Sequence, residues 1–237
     1  MNKYRTVLRA LVAVLIFTGF QAPVRPESIG TPFHEWSRDY ALNILNESPW
    51  SQHQTYIRQL RGIGSGIQGE KEIYNTYFVR FLSAEPVRKA FARVKELHVD
   101  YEELDERQRE EFDNQNNRAV NLKMDDWIVV SVAFRSNVPR EESNIERFLM
   151  GQTTETIKTR VYLSTERFPR LEISEYIPPT EKIIGAKFIF PRTKDGREVV
   201  TAEDEVIAFE FDTPGSDSEL RTTFDVQDMT QEGELIL

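Results

Sequence analysis

The sequence predicts an α+β protein, with N-terminal helices packed on a C-terminal antiparallel β-structure, either sandwich-like or a curled sheet. Three observations lead there. Helical periodicity is concentrated before residue 122. From Asp125 onward the period shortens to β-branched and aromatic runs broken by Pro and Gly. The composition, 39% hydrophobic and 29% charged over 237 residues, suits a folded chain able to bury a core.

Residues 1–26 read as a signal peptide or an N-terminal anchor. Lys3, Arg5 and Arg9 precede the apolar run Ala10–Phe20, and Ala22 offers a cleavage point. The run is shorter than the ~20 residues that span a bilayer, which favours a cleaved signal. Residues 27–237 then form one domain, with a helical part at 36–122 and a β-rich part at 125–237.

Trp36–Asn46 reads as a short amphipathic helix stopped by Ser48-Pro49. Ser51–Leu60 is polar and fits either a strand or an extended arm. In Ser83-Ala84-Glu85-Pro86, a Ser cap and a first-turn Pro start a helix. Val87, Ala90, Phe91, Val94 and Leu97 give that helix its apolar stripe. Tyr101–Arg118 is a charged helix with a thin apolar edge, Leu104 and Phe112, and its acids, including Glu103 and Asp113, read as solvated. Strands are expected at Trp127–Phe134, Thr159–Ser164, Leu171–Tyr176, Ala186–Phe190, Val199–Thr201, Val206–Phe211, Leu220–Val226 and Glu234–Leu237. Asp195-Gly196 marks a hairpin turn between two of the β-rich runs.

Composition also excludes chemistry. With no cysteine there are no disulfides, thiolate nucleophiles or cysteine-held metals. Removing residues 1–26 leaves 26 basic and 39 acidic residues, net −13. Such a chain is a poor ligand for nucleic acid and is repelled by anionic lipid, so membrane contact is expected only through residues 1–26.

Individual motifs are weak. Gly64–Gly69 matches G-x-G-x-x-G but lacks the preceding apolar strand, and Glu70 and Glu72 would repel a pyrophosphate. His34-Glu35 begins a zinc motif but Arg38 stands where the second His belongs. No nucleophile elbow is present. Asp212, Asp217 and Glu219 read as a solvated loop more readily than as a calcium site. Tyr74, Tyr77, Phe78 and Phe81 are expected in the core rather than around a ligand. No cofactor or metal is expected. Arg88, Lys89, Arg93 and Lys95 form the one basic face in an acidic chain, a candidate surface for an envelope protein or polymer.

Ser48-Pro49-Trp50, Tyr77–Leu97, Tyr176-Ile177-Pro178-Pro179 and Gly185–Arg192 together resemble a group of uncharacterised exported bacterial proteins of the acidobacterial type. The resemblance implies export, to the periplasm or beyond, and carries no catalytic residue. The expected function is therefore a non-enzymatic partner- or ligand-binding domain of the envelope, with a carboxylate-dependent envelope hydrolase as the alternative.

Overall fold

The computed structural model describes residues 28–60, 71–99, 101–180, 185–213 and 219–237. A 3-10 turn at Phe33–Glu35 leads into α1 (Arg38–Asn46), followed by β1 (Ser51–Leu60), β2 (Lys71–Phe81), α2 (Glu85–His98) and α3 (Glu106–Val120). Next come β3 (Trp127–Ser136), α4 (Pro139–Met150), α5 (Thr154–Ile157), β4 (Val161–Ser164), β5 (Leu171–Glu172) and β6 (Glu175–Ile177). The chain ends with β7 (Ala186–Pro191), β8 (Thr193–Lys194), β9 (Arg197–Glu198), β10 (Val206–Asp212), β11 (Glu219–Asp225), β12 (Thr230–Gln231) and β13 (Glu234–Leu235). None of the described helices is long and apolar enough to cross a membrane.

The fold is α+β with antiparallel sheets. One has five strands in the order β1-β2-β3-β7-β6, the other four in the order β11-β10-β4-β5. Strand alternation turns Val79, Phe81, Ile128, Val130, Phe188 and Phe190 of the first sheet toward Phe209, Phe211 and Phe224 of the second. Ring centroids 4.7 Å apart for Phe81–Phe224 and 5.5 Å apart for Phe188–Phe209 and Phe188–Phe211 mark the seam between the sheets. On the opposite face of the first sheet, Arg80 of β2 lies against the end of α1 and against Phe91 of α2. Helices thus cover one face of this sheet and the second sheet covers the other.

The chain does not divide as cleanly as its periodicity suggests. β1 and β2, both within residues 36–122, supply two strands of the larger sheet. Ser51–Leu60 is a strand, paired residue for residue with β2 from Ser51↔Arg80 to Leu60↔Lys71. Conversely α4 lies in the β-rich half, where Ile145 and Leu149 are buried four residues apart. The expected strand Leu171–Tyr176 is two strands in different sheets, β5 beside β4 and β6 beside β7. Val199–Thr201 does not pair as a strand, although Val199 and Val200 are buried and Val199 N–H donates to Arg192 O at 2.9 Å.

Local chemistry explains the ends of elements. α1 starts at Ser37, whose side chain accepts from Tyr40 N–H. α2 has Pro86 in its first turn, as expected, but Ala84 occupies the cap position and gives no side-chain bond. Ser83 Oγ instead accepts from Val129 N–H at 3.3 Å and ties the start of α2 to β3. α3 begins with a capping box between Asp105 and Gln108. The β8–β9 hairpin turns at Asp195 (φ 53°) and Gly196 (φ 71°), the two positive φ values of a type I′ turn.

Two buried tyrosines make stability pH-dependent. Burial pushes the Tyr77 phenol up to about 12 and raises Tyr176, whose hydroxyl donates to Leu149 O at 2.8 Å. Above pH 10 the folded state holds protons that the unfolded chain releases, so this stabilisation is complete below pH 10 and is lost as pH rises toward 12. Relative to Tyr77→Phe, the wild type is expected to lose up to about 3 kcal/mol between those limits. Urea unfolding of both proteins at pH 8, 10 and 11.5 measures the difference, and parallel pH profiles would contradict it.

Candidate functional site

The C-terminal half of α2 and residues 113–117 of α3 line a cleft of about 680 Å3, to which the 3-10 turn at Phe33–Glu35 adds His34 and the turn Tyr101–Glu103 adds Tyr101 and Glu103. One wall comes from α2. Glu96 is largely buried and receives His34 Nδ1 at 2.8 Å and Arg93 at 3.4 Å. Arg93 Nε also donates to Trp36 O at 2.6 Å, fixing the guanidinium against the chain before α1.

The other wall comes from α3 and the turn before it. Tyr101 Oη donates to Asp113 Oδ2 at 2.7 Å, and this bond raises the phenol above its ordinary value. Arg109 Nε donates to Tyr101 O at 3.1 Å while its guanidinium lies 5.5 Å from the tyrosine ring centroid. The ring also meets Phe112 edge-on at 5.8 Å. Leu97, Val99, Glu103 and Asn117 complete the rim, and Leu97 is 44% exposed.

The floor contains Asn116, only 4% exposed. Its Oδ1 lies 3.3 Å from Lys95 Nζ. An ammonium group only donates, so this contact fixes which amide atom is oxygen and which nitrogen. Asn116 Nδ2 is left buried with no hydrogen-bond partner among the described residues. An unmet buried donor is costly, so a native structure that carries one calls for an explanation.

The four basic residues expected to form one face do not form one. Arg88 Nε donates to Val120 O at 3.0 Å and its NH1 to Leu82 O at 2.9 Å, and burial lowers its pKa. It clamps the end of α3 to the start of α2. Lys89 pairs with Glu85 at 2.9 Å one turn back along α2. Arg93 lies in the cleft wall, and Lys95 sits behind the floor, 4.8 Å from the Phe112 ring centroid. At 100° per residue Arg88 and Lys95 point toward α3, while Arg93 points toward α1, so the cations bind neighbouring elements instead of sharing a surface.

The remaining expectations fall as follows. Residues 1–26, Gly64–Gly69 and Asp217 lie outside the described residues. Asp212 pairs with Arg160 at 3.0 Å and stands opposite Glu219 across β10 and β11. His34, His53 and His98 lie on separate elements, and no cluster of three metal-binding side chains occurs among the described residues. Tyr77 and Phe81 are buried between the sheets, Phe78 lies under Arg80, and Tyr74 is 40% exposed, so the four do not share a cleft. Asp204, a fully buried acid, pairs with Arg167 at 3.1 Å. Glu96 has Arg93 and His34 around it, and Asp113 accepts from Tyr101.

No family model, no curated protein and no solved structure matches this chain. The class that the fold and cleft define is an α+β protein with a preformed polar cleft in its helical layer.

Proposed function

We propose that this chain is an exported, non-enzymatic binding domain that holds its ligand in the cleft between α2 and α3. The observation that carries the reading is the cleft of about 680 Å3 itself, where the polar groups of His34, Arg93, Glu96, Asp113 and Asn116 stand beside Leu97, Val99 and the Tyr101 ring. Fixed polar groups beside apolar contact surface are the usual make-up of a ligand site. The basic n-region, the apolar Ala10–Phe20 run and the resemblance to exported bacterial proteins support export. The same resemblance and the acidic charge point to an envelope partner rather than nucleic acid.

Two measurements test it. Residues 1–30 fused to a β-lactamase that is active only outside the cytoplasm should confer resistance, and a sensitive strain overturns export. Purified full-length protein incubated with envelope polymers should leave them intact by mass spectrometry while one of them shifts the NMR signals of Tyr101 and Asn116. Release of cleaved products would overturn the non-enzymatic reading in favour of the hydrolase.

A further inference from the structure

We infer that this protein pairs with a second copy of itself along the outer edge of β1, joining the two larger sheets into one antiparallel sheet. Hydrogen-bond direction along β1 identifies the groups available for this. Phe81 N–H donates to Trp50 O at 2.9 Å, and on the other side of β2 Asn137 N–H donates to Tyr74 O. In the register Ser51↔Arg80, the even-numbered residues of β1 therefore exchange bonds with β2, and the odd-numbered ones turn N–H and C=O away from it. Ser51 exchanges its outward pair with Ser48, at 3.0 Å each way. His53, Thr55, Ile57 and Gln59 follow, all exposed. Among the described residues, no backbone group bonds to their outward N–H and C=O. The contact of β1 with the second sheet runs through the other set, where Tyr56 Oη donates to Glu219 O at 2.9 Å.

A protein that stays single blunts its sheet edges with short strands, charge, Pro or bulges. Three edges of the two main sheets are blunted in this way. β6 and β5 have three and two residues, and β11 exposes Glu219, Arg221 and Asp225. β1 is different: ten residues without Pro, Gly, Lys or acid, paired to β2 without a bulge. It exposes Ile57 at 61% beside its cross-strand partner Tyr74 at 40%.

Charge and register select the occupant. The chain carries 39 acidic and 30 basic residues, so two copies repel in general, yet Ser51–Leu60 contains no acid. Antiparallel pairing about a two-fold axis at Tyr56 sets Thr55 opposite Ile57 of the second copy and His53 opposite Gln59, so every outward residue finds a partner. Arg58, held by Glu141 at 2.8 Å, then stands opposite Gln54 and meets no like charge. The row Tyr74–Ile57 of one copy continues into Thr55–Thr76 of the other, giving the exposed Ile57 a β-branched neighbour. Symmetry supplies this match with no other component.

The test is sedimentation of the full chain over a dilution series, in a mild detergent that masks the apolar run Ala10–Phe20. At about 100 µM it should show twice the mass of one chain, and on dilution the single mass. Hydrogen exchange on the same samples gives an atomic readout. The amides of Thr55 and Ile57 should exchange about tenfold or more slowly in the dimer than in the dilute chain, whereas Gln54 and Tyr56, bonded to β2, should be slow in both. Ile57→Lys places a charge on the edge at an exposed position, and Thr55→Pro removes an outward N–H while leaving the bonds to β2. Each should raise the dissociation constant about tenfold or more. The thermal midpoint of dilute Ile57→Lys should match the wild type, which separates lost pairing from lost folding. A dimer that survives either variant would place the interface elsewhere and overturn the inference. A single mass at every concentration, with Thr55 and Ile57 exchanging rapidly, would overturn it as well.

Discussion

Arg80→Ala is expected to lower the folding free energy by about 2–4 kcal/mol, read from urea unfolding. Arg80 is 8% exposed, and among the described residues no carboxylate pairs with it. Its Nε donates to Leu45 O and its NH2 to Asn46 Oδ1 at 3.0 Å. Both acceptors belong to the last turn of α1, where unsatisfied carbonyls carry the negative end of the helix dipole. The guanidinium lies 4.9 Å from the Phe78 ring centroid and 5.7 Å from that of Phe91, so one side chain joins α1, β2 and α2. Opposing terms decide the magnitude. Burial lowers the Arg80 pKa to about 10, which means the desolvated charge itself disfavours folding, and alanine relieves that cost. Alanine also leaves a cavity the size of the lost stem, strands a helix carbonyl and removes two ring contacts, which together outweigh the relief. Arg80→Met separates these effects. It keeps the stem volume and removes the charge, so it should stay within about 1 kcal/mol of wild type. Equal losses for Met and Ala would show that the hydrogen bonds to α1 dominate; no loss for Ala would show that Arg80 does not hold the layers together.

The legible parts of this fold are those where a single face decides the pattern. The stripe Val87-Ala90-Phe91-Val94-Leu97 and Pro86 define α2, and the structure begins and ends that helix within two residues of the stripe's limits. Trp127–Phe134 and the Asp195-Gly196 turn are similarly local. β1 was ambiguous because its side chains are mostly polar on both faces, which follows from its place at the sheet edge. Leu171–Tyr176 looks continuous because residues buried in either sheet are equally apolar; only the bend at Ile173-Ser174 moves the chain from one sheet to the other. The cleft was hidden for a different reason. Glu103 and Asp113 sit in a run of acids whose composition is that of a solvated helix face, and only the fold turns them toward Glu96. Yet Asn116 had a signal. Phe112, Asn116 and Val120 repeat every four residues and are all buried, so a lone amide stands in the middle of the thin apolar edge of α3. A polar residue in a buried stripe is the pattern that points to an internal partner or a ligand.

Phe188→Ala is expected to cost about 3–5 kcal/mol and to lower Tm by roughly 10 °C. Phe188 is completely buried in β7, with ring centroids of Tyr176 at 5.2 Å and of Phe209 and Phe211 at 5.5 Å. Tyr176 belongs to its own sheet, whereas Phe209 and Phe211 belong to β10 of the other, so the ring spans the seam. Truncation opens a cavity whose walls are fixed by hydrogen-bonded strands on both sides and cannot easily collapse, which places the cost in the upper part of the core range. Phe188→Leu keeps most of the volume and should cost about 1–2 kcal/mol. The form of the transition carries as much information as its midpoint. The smaller sheet has strands of two to seven residues and leaves a whole apolar face exposed without the larger one, so it has no independent stability. Loss of Phe188 should therefore lower one cooperative transition, followed identically by far-UV circular dichroism and tryptophan fluorescence. Two separated transitions would mean that each sheet has its own folding unit, with the larger sheet held by the helices and Arg80 alone.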